Sequence, residues 1–182
     1  MIDVSDFNNY RIFLDLVTKD ITNLLALGCG EIRAEDTLGA KHILGIEWSD
    51  RRLQIAKEKA IVLKYDVKNI ADILTDKSFD VVTMFDIFEH LEKKNALKLL
   101  EDLHRIVKKQ IVIFIPVQPE IKEDNIQIKY QEERKKQNLS MGHHLSSWTP
   151  EEFEELGFGI IKYSPNYHVD KKFGALFCIK NL

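Results

Sequence analysis

The chain has 182 residues, enough for one domain with a substantial core and too few for two ordinary ones. With 45% apolar and 30% charged residues it reads as a soluble globular domain, and its longest apolar runs, NLLALG and IVIFIPV, are too short to cross a bilayer. A formal charge of −3 excludes a general electrostatic grip on nucleic acid and leaves only a local basic patch open.

The opening MIDVSDFNNY has no basic start followed by an apolar block, so no secretory signal is expected. Cys29 and Cys178 lie far apart, each inside an apolar segment. They are expected to be buried thiols in a reducing cytoplasm rather than a disulfide.

Ser5 to Thr18 carries Phe7, Tyr10, Phe13, Leu14 and Val17 at helical spacing. Thr22 to Leu27 reads as a short buried strand that ends at Gly28, and His42 to Ile46 as a second strand. Ser49 is placed to cap a helix running through Lys59. Ile61 to Tyr65 and Phe79 to Phe85 follow as strands. Ala96, Leu99, Leu100, Leu103, Ile106 and Val107 mark one face of a long helix, and Gln110 to Val117 is an unbroken apolar strand of the kind covered on both faces. This alternation predicts a parallel sheet with helices on both sides.

The last third changes character. Residues 117–147 hold a charged insert, densest over Glu120 to Gln137, expected to be a lid or surface helix on the acceptor side. SSWTPEEFEELGFG then spells a complete helix start: Thr149 as N-cap, Pro150 as first helical residue, Glu152 closing the capping box. Trp148 and Phe153 stand at staple spacing, and Gly157 ends the helix. FGIIKY and FGALFCIKN predict a final antiparallel pair of strands. The whole of 1–182 is read as one domain.

Ligands of an open α/β sheet bind at the carboxyl ends of its strands. Four predicted ends carry suitable residues: Gly28 and Gly30, then Glu47, then Asp66, then Asp86. The glycines allow close approach of backbone to a ligand. A carboxylate at Glu47 can accept from both hydroxyls of a ribose, and one at Asp66 from an adenine amino group. Trp48 is placed to cover the ring. Each element alone has a structural reading, as a turn glycine, a solvated acid or a helix cap; their order along the chain points to a nucleoside-type ligand. A dinucleotide does not fit, because Arg33 stands where the third glycine of Gly-x-Gly-x-x-Gly belongs and Glu31 would repel a pyrophosphate. No Gly-Lys-Ser/Thr loop is present either.

NLLALGCGE, LGIEWSDRRLQIAKEKA, KYDV and SFDVVTMFDIFEHLEKKNALKLLEDLHRIVKKQIVIFIP together resemble the successive motifs of class I S-adenosylmethionine (SAM) dependent methyltransferases. The resemblance is strong over Lys19 to Pro116 and looser beyond. It implies a three-layer, doubly wound sheet of about seven strands, mostly parallel with an antiparallel terminal strand. It implies SAM as cofactor, S-adenosylhomocysteine as product and no metal. The implied cofactor shell is Leu27, Gly28, Cys29, Gly30, Glu47, Trp48, Asp66, Val67, Phe85 and Asp86. In it Glu47 binds the ribose, Asp66 and the Val67 amide meet the adenine, and the carbonyls of Gly28 and Phe85 with the Asp86 carboxylate meet the ammonium. The chain departs from the pattern at Ala26, where relatives often have an acid near that ammonium, and at Ile32, where a third glycine is common. A weaker cofactor grip is expected.

Methyl transfer is an in-line displacement that needs alignment, plus a base if the acceptor must lose a proton. His90, His143 and His144 are the candidate bases, each weighed against a packing or capping role. Two adjacent histidines do not make a metal site by themselves, and the sequence places no Cys or Asp cluster beside them. The expected acceptor is a small molecule or glycan-like compound, with no membrane partner. Two other readings remain: a non-catalytic SAM-binding domain, supported by Ala26, and a nucleic-acid or protein methyltransferase docking through Lys129 to Lys136. Nothing in the sequence specifies an oligomeric state.

Overall fold

The structure is a computed structural model that describes residues 16–32, 37–117, 144–164 and 174–182. The expected first helix up to residue 15 and most of the charged insert lie outside these residues, as does His143. Seven strands form one sheet: β1 (Asn23–Leu27), β2 (His42–Glu47), β3 (Ile61–Lys64), β4 (Phe79–Phe85), β5 (Val107–Val117), β6 (Gly159–Ser164) and β7 (Gly174–Asn181). Their spatial order is β3-β2-β1-β4-β5-β7-β6. Every pairing from β3 to β5 is parallel, and β7 is antiparallel to both its neighbours. The last strand of the chain is therefore inserted inside the sheet, and β6 forms the edge.

Alternation along the strands feeds two cores. Leu25, Val82, Ile111, Ile113 and Ile115 face one, while Leu24, Val81, Val112 and Phe114 face the other. This is why β5 reads as a continuous apolar run: each face of the strand meets its own apolar layer. Helix α2 (Lys93–Ile106) lays Ala96, Leu99, Leu100, Leu103 and Ile106 onto the first core. Each such fully buried aliphatic side chain contributes about 1.5–3 kcal/mol relative to exposure.

Helix α1 (Asp50–Ala56) stops three residues short of the expected Lys59. Ser49 occupies its N-cap position but its side chain makes no capping bond; the carboxylate of Glu47 instead accepts the Ser49 N–H at 2.8 Å. Helix α3 (Pro150–Glu155) begins as the sequence predicts. Thr149 Oγ1 accepts from the Glu152 N–H at 3.3 Å, and Glu152 Oε2 from the Thr149 N–H at 3.0 Å. Trp148 and Phe153 pack with ring centroids 5.5 Å apart, so Trp148 is a buried staple.

The chain order moves outward from β1 to β2 and β3, then returns to β4 on the other side. That reversal puts the topological switch point between β1 and β4, the place where open α/β sheets bind ligands at the carboxyl ends of their strands, and Gly28, Gly30 and Asp86 stand at those ends. Among the described residues, no helix is long and apolar enough to cross a membrane.

Candidate active site

The loop after β1 turns through three left-handed residues, Gly28, Gly30 and Ile32, with φ of +62°, +55° and +43°. The third position explains the glycine expected there. This chain keeps the conformation with a β-branched residue, which is strained for any side chain but glycine. The Ile32 side chain is only 2% exposed, so apolar burial offsets that strain. Lys59 Nζ donates to the carbonyls of Glu31 and Ile32, at 3.1 and 2.7 Å, and ties the loop to the segment after α1.

Glycines clear space on two sides of this loop. A β-carbon on Gly28 would stand 2.0 Å from the Ile87 side chain, whereas one on Gly30 would meet nothing within 4 Å. Cys29 lies over β2, where a β-carbon on Gly45 would approach its Sγ to 2.6 Å. Burial, then the Glu47 charge, pushes the Cys29 thiol up to about 12. Leu27 contributes its side chain to the core, leaving its backbone at the strand end.

Glu47 is the organising residue at the end of β2. Its carboxylate, in a residue only 7% exposed, accepts from the N–H groups of Gly30 (3.0 Å), Trp48 (2.8 Å) and Ser49 (2.8 Å). Trp48 stands 69% exposed beside it, with Lys64 Nζ 5.6 Å from the ring centroid. A large apolar ring left in solvent next to an anchored carboxylate fits a partner with a planar face and hydroxyls. Asp66 caps the 3-10 segment Val67–Asp72: its Oδ1 accepts the Lys68 N–H at 3.0 Å, and its Oδ2 is 3.2 Å from Lys68 Nζ. The structural role weighed for Asp66 is thus present. Val67 follows it, packed against the core.

Asp86 follows β4 directly in a left-handed conformation, φ +54°, with its N–H donating to the Phe114 carbonyl at 2.9 Å. Asp is one of the few residue types that accepts this geometry readily. Phe85 before it is partly buried against the second core. At Ala26 the small side chain is 8% exposed, in register with Gly45 on one side and Thr83 on the other.

A second group of residues faces the same end of the sheet. The 3-10 turn Phe88–His90 buries Glu89, which is 2% exposed. His90 Nε2 lies 3.7 Å and His144 Nε2 4.0 Å from the same Glu89 Oε1, and the two imidazoles meet edge to face at 5.0 Å. Burial, then the Asp86 charge, holds the Glu89 carboxyl well above the usual carboxylate range. His144 reaches the turn because the N–H groups of Leu145 and Ser146 donate to the Glu89 carbonyl at 2.8 and 3.1 Å. The sequence reading singled out both histidines but not Glu89. The available signal was an acid directly preceding a candidate histidine; its burial came only with the fold.

The sequence matches the model of the methyltransferase domain over residues 25–115, half of the chain. The chain belongs to that family. It is a SAM-dependent methyltransferase by this membership. A SAM-dependent methyltransferase from Archaeoglobus fulgidus shares the fold with TM-score 0.60 and 16% identity, over 94% of this chain and 93% of that one. The N-terminal domain of EvdMO1, solved with S-adenosylhomocysteine bound, gives TM-score 0.63 at 15% identity over 100% of this chain and 82% of that one. A Haemonchus contortus phosphoethanolamine N-methyltransferase, in complex with phosphomonomethylethanolamine and S-adenosylhomocysteine, gives 0.66 at 14% identity, over 94% of this chain and 52% of that one. No curated protein sequence matches.

The cofactor of this methyltransferase is SAM, with S-adenosylhomocysteine as its product. The strand ends fit it: Gly30 faces open space, Glu47 is anchored beside it, and Trp48 offers a largely exposed ring. Gly28, Gly30, Glu47 and Trp48 could therefore hold the nucleoside. Asp86 and the carbonyls of Gly28 and Phe85 could hold the amino-acid end.

Proposed function

We propose that this methyltransferase acts on a small-molecule or glycan-like acceptor, as one domain spanning 1–182 with residues 117–147 forming the acceptor side. The observation that carries this reading is the meeting of two unlike surfaces at one end of the sheet. An anchored carboxylate with glycines lies on one side, and a buried Glu89 with His90 and His144 on the other.

Bound SAM supplies a methyl group already activated on a sulfonium. The chain's own residues do the rest. Glu47 fixes the ribose hydroxyls, Trp48 and the Val67 amide orient the adenine, and Asp66 reaches its amino group. Gly28, Phe85 and Asp86 hold the ammonium, a task that relatives share with an acid at the position of Ala26. Leu27 and Cys29 shape the loop between them. His90 or His144 takes the acceptor's proton at an imidazole nitrogen as the new bond forms; His143, the third candidate base, lies outside the described residues. Ile87, packed on Gly28, ties the two groups together.

The low negative charge and the sequence FDIFEHL, which lacks an Asn/Asp-Pro-Pro-Tyr type motif, favour a small acceptor over a nucleic acid. The free thiols Cys29 and Cys178, both pushed up by burial, suit a reducing cytoplasm. Calorimetry with SAM and S-adenosylhomocysteine, followed by product release across panels of alcohols, amines, sugars and RNA, tests the reading. Binding of both nucleosides with turnover on a small acceptor supports it. Turnover on RNA alone, with strong salt dependence, overturns the acceptor class.

A further inference from the structure

We propose that Glu89, His90 and His144 form a binding site for one divalent cation, held by a carboxylate and two imidazoles with its remaining positions open to an acceptor oxygen. The three ligand atoms lie within 4.8 Å of one another, and one Glu89 oxygen is the near neighbour of both imidazole nitrogens. Among the described residues, neither oxygen of this buried carboxylate has a hydrogen-bond partner. A charge-assisted Glu–His hydrogen bond would bring nitrogen and oxygen to about 2.8 Å. At 3.7 and 4.0 Å neither histidine does so, and the separations instead approach the spacing of ligands around a common ion. Tetrahedral ligands about 2.1 Å from zinc stand roughly 3.4 Å apart, a small side-chain rotation away.

A buried carboxylate without donors is costly, and a cation converts that cost into coordination. Two rigid supports hold the ligands. Glu89 and His90 sit on the turn after β4, above the packed rings of Phe88, Trp148 and Phe153. His144 is fixed by the two N–H bonds to the Glu89 carbonyl, and Ser146 accepts from Trp148 Nε1 at 2.8 Å. Two imidazoles and one carboxylate select zinc, manganese, iron or cobalt over magnesium or calcium. Methyl transfer in this family needs no metal, so the site stands on the geometry of Glu89, His90 and His144 alone.

The role of the ion, though not its binding, rests on the reading of this face as the acceptor side. With the ion in place the imidazoles are ligands, and an acceptor hydroxyl held there becomes more acidic. The O–H bond breaks with its proton passing to solvent, the oxygen lone pair forms the O–CH3 bond, and the C–S electron pair returns to sulfur. The product is a methyl ether and the neutral thioether.

The test titrates the tag-free full chain with Co2+, read by its visible spectrum, and with Zn2+, read by calorimetry. Saturation at one equivalent is expected, with Glu89→Gln and His144→Asn each weakening it by at least about tenfold, while SAM affinity stays unchanged. His144→Asn lies on the segment outside the core, so it keeps the test decisive if Glu89→Gln fails to fold. Absence of saturable binding of either ion, or binding that both variants leave intact, overturns the site. Failure to bind SAM would overturn the functional reading instead and leave the metal result standing.

Discussion

Gly28 and Ile87 share one volume: a β-carbon on Gly28 would stand 2.0 Å from both Cγ1 and Cδ1 of Ile87. The contact joins the glycine loop after β1 to the segment that carries Glu89 and His90. Gly28→Ala therefore imposes two separate penalties. The left-handed backbone costs about 1–2 kcal/mol and the overlap about 1–3 kcal/mol more. Ile87→Ala in the same chain should restore the second part and leave the first. Urea unfolding of the four proteins of this double-mutant cycle measures the coupling, and additive effects would show that the two residues do not compete.

Glu47 carries three backbone N–H groups on two oxygens, so an amide cannot replace it. Glu47→Gln keeps one accepting oxygen and turns a donor toward donors. Hydrogen bonds to a charged group are worth about 1.5–3 kcal/mol, so SAM affinity should fall roughly tenfold to a hundredfold. Asp66 is already engaged by Lys68, and Asp66→Asn should cost less than Glu47→Gln. Calorimetry on both variants checks the ranking; equal losses would contradict it.

Asp80 predicts an acid-dependent stability. It accepts from the N–H groups of Thr22 (2.7 Å) and Asn23 (3.0 Å), pinning the start of β1 to β4. Burial acts to raise its pKa, but the Asn23 and Thr22 bonds and the Lys109 and Lys108 charges outweigh that and hold it below the ordinary value. Folding thus favours the ionised form. Its stabilisation is complete above the unfolded pKa of about 3.9 and is lost as pH falls through the lower folded value. Asp80→Asn should flatten the acid limb of urea midpoints recorded from pH 6 downwards. An unchanged acid limb would assign it to other carboxylates.

Thr149→Ala removes one half of the capping box on α3 and should destabilise the chain by about 1 kcal/mol. Glu152→Ala removes the reciprocal half. Because the two bonds support each other, the double variant should lose less than the sum of the singles, as thermal melts would show.

The helix start at Thr149 was legible because its partners are three residues apart: Thr149, Glu152 and the staple pair all lie within one turn. β5 was legible as a strand with two covered faces, since its unbroken apolar run needs no knowledge of which core each residue meets. Ser49 takes the N-cap position that the sequence indicates, but that its hydroxyl makes no capping bond is visible only in the fold, where its N–H is held by Glu47 as β2 enters α1. Ile32 likewise could be seen as a missing glycine, but only the fold shows that it retains the glycine's left-handed conformation.

Local chemistry in the sequence determined the order of strands and helices, the glycine turn after β1 and the series of acids at strand ends. Those features depend on periodicity and near neighbours, where propensity and spacing are decisive. Only the tertiary structure decided that β7 enters between β5 and β6, that Ile87 fills the space above Gly28, and that Glu89 is buried between His90 and His144. Each of these is a contact between segments far apart in the chain, set by the packing of whole elements rather than by any local pattern.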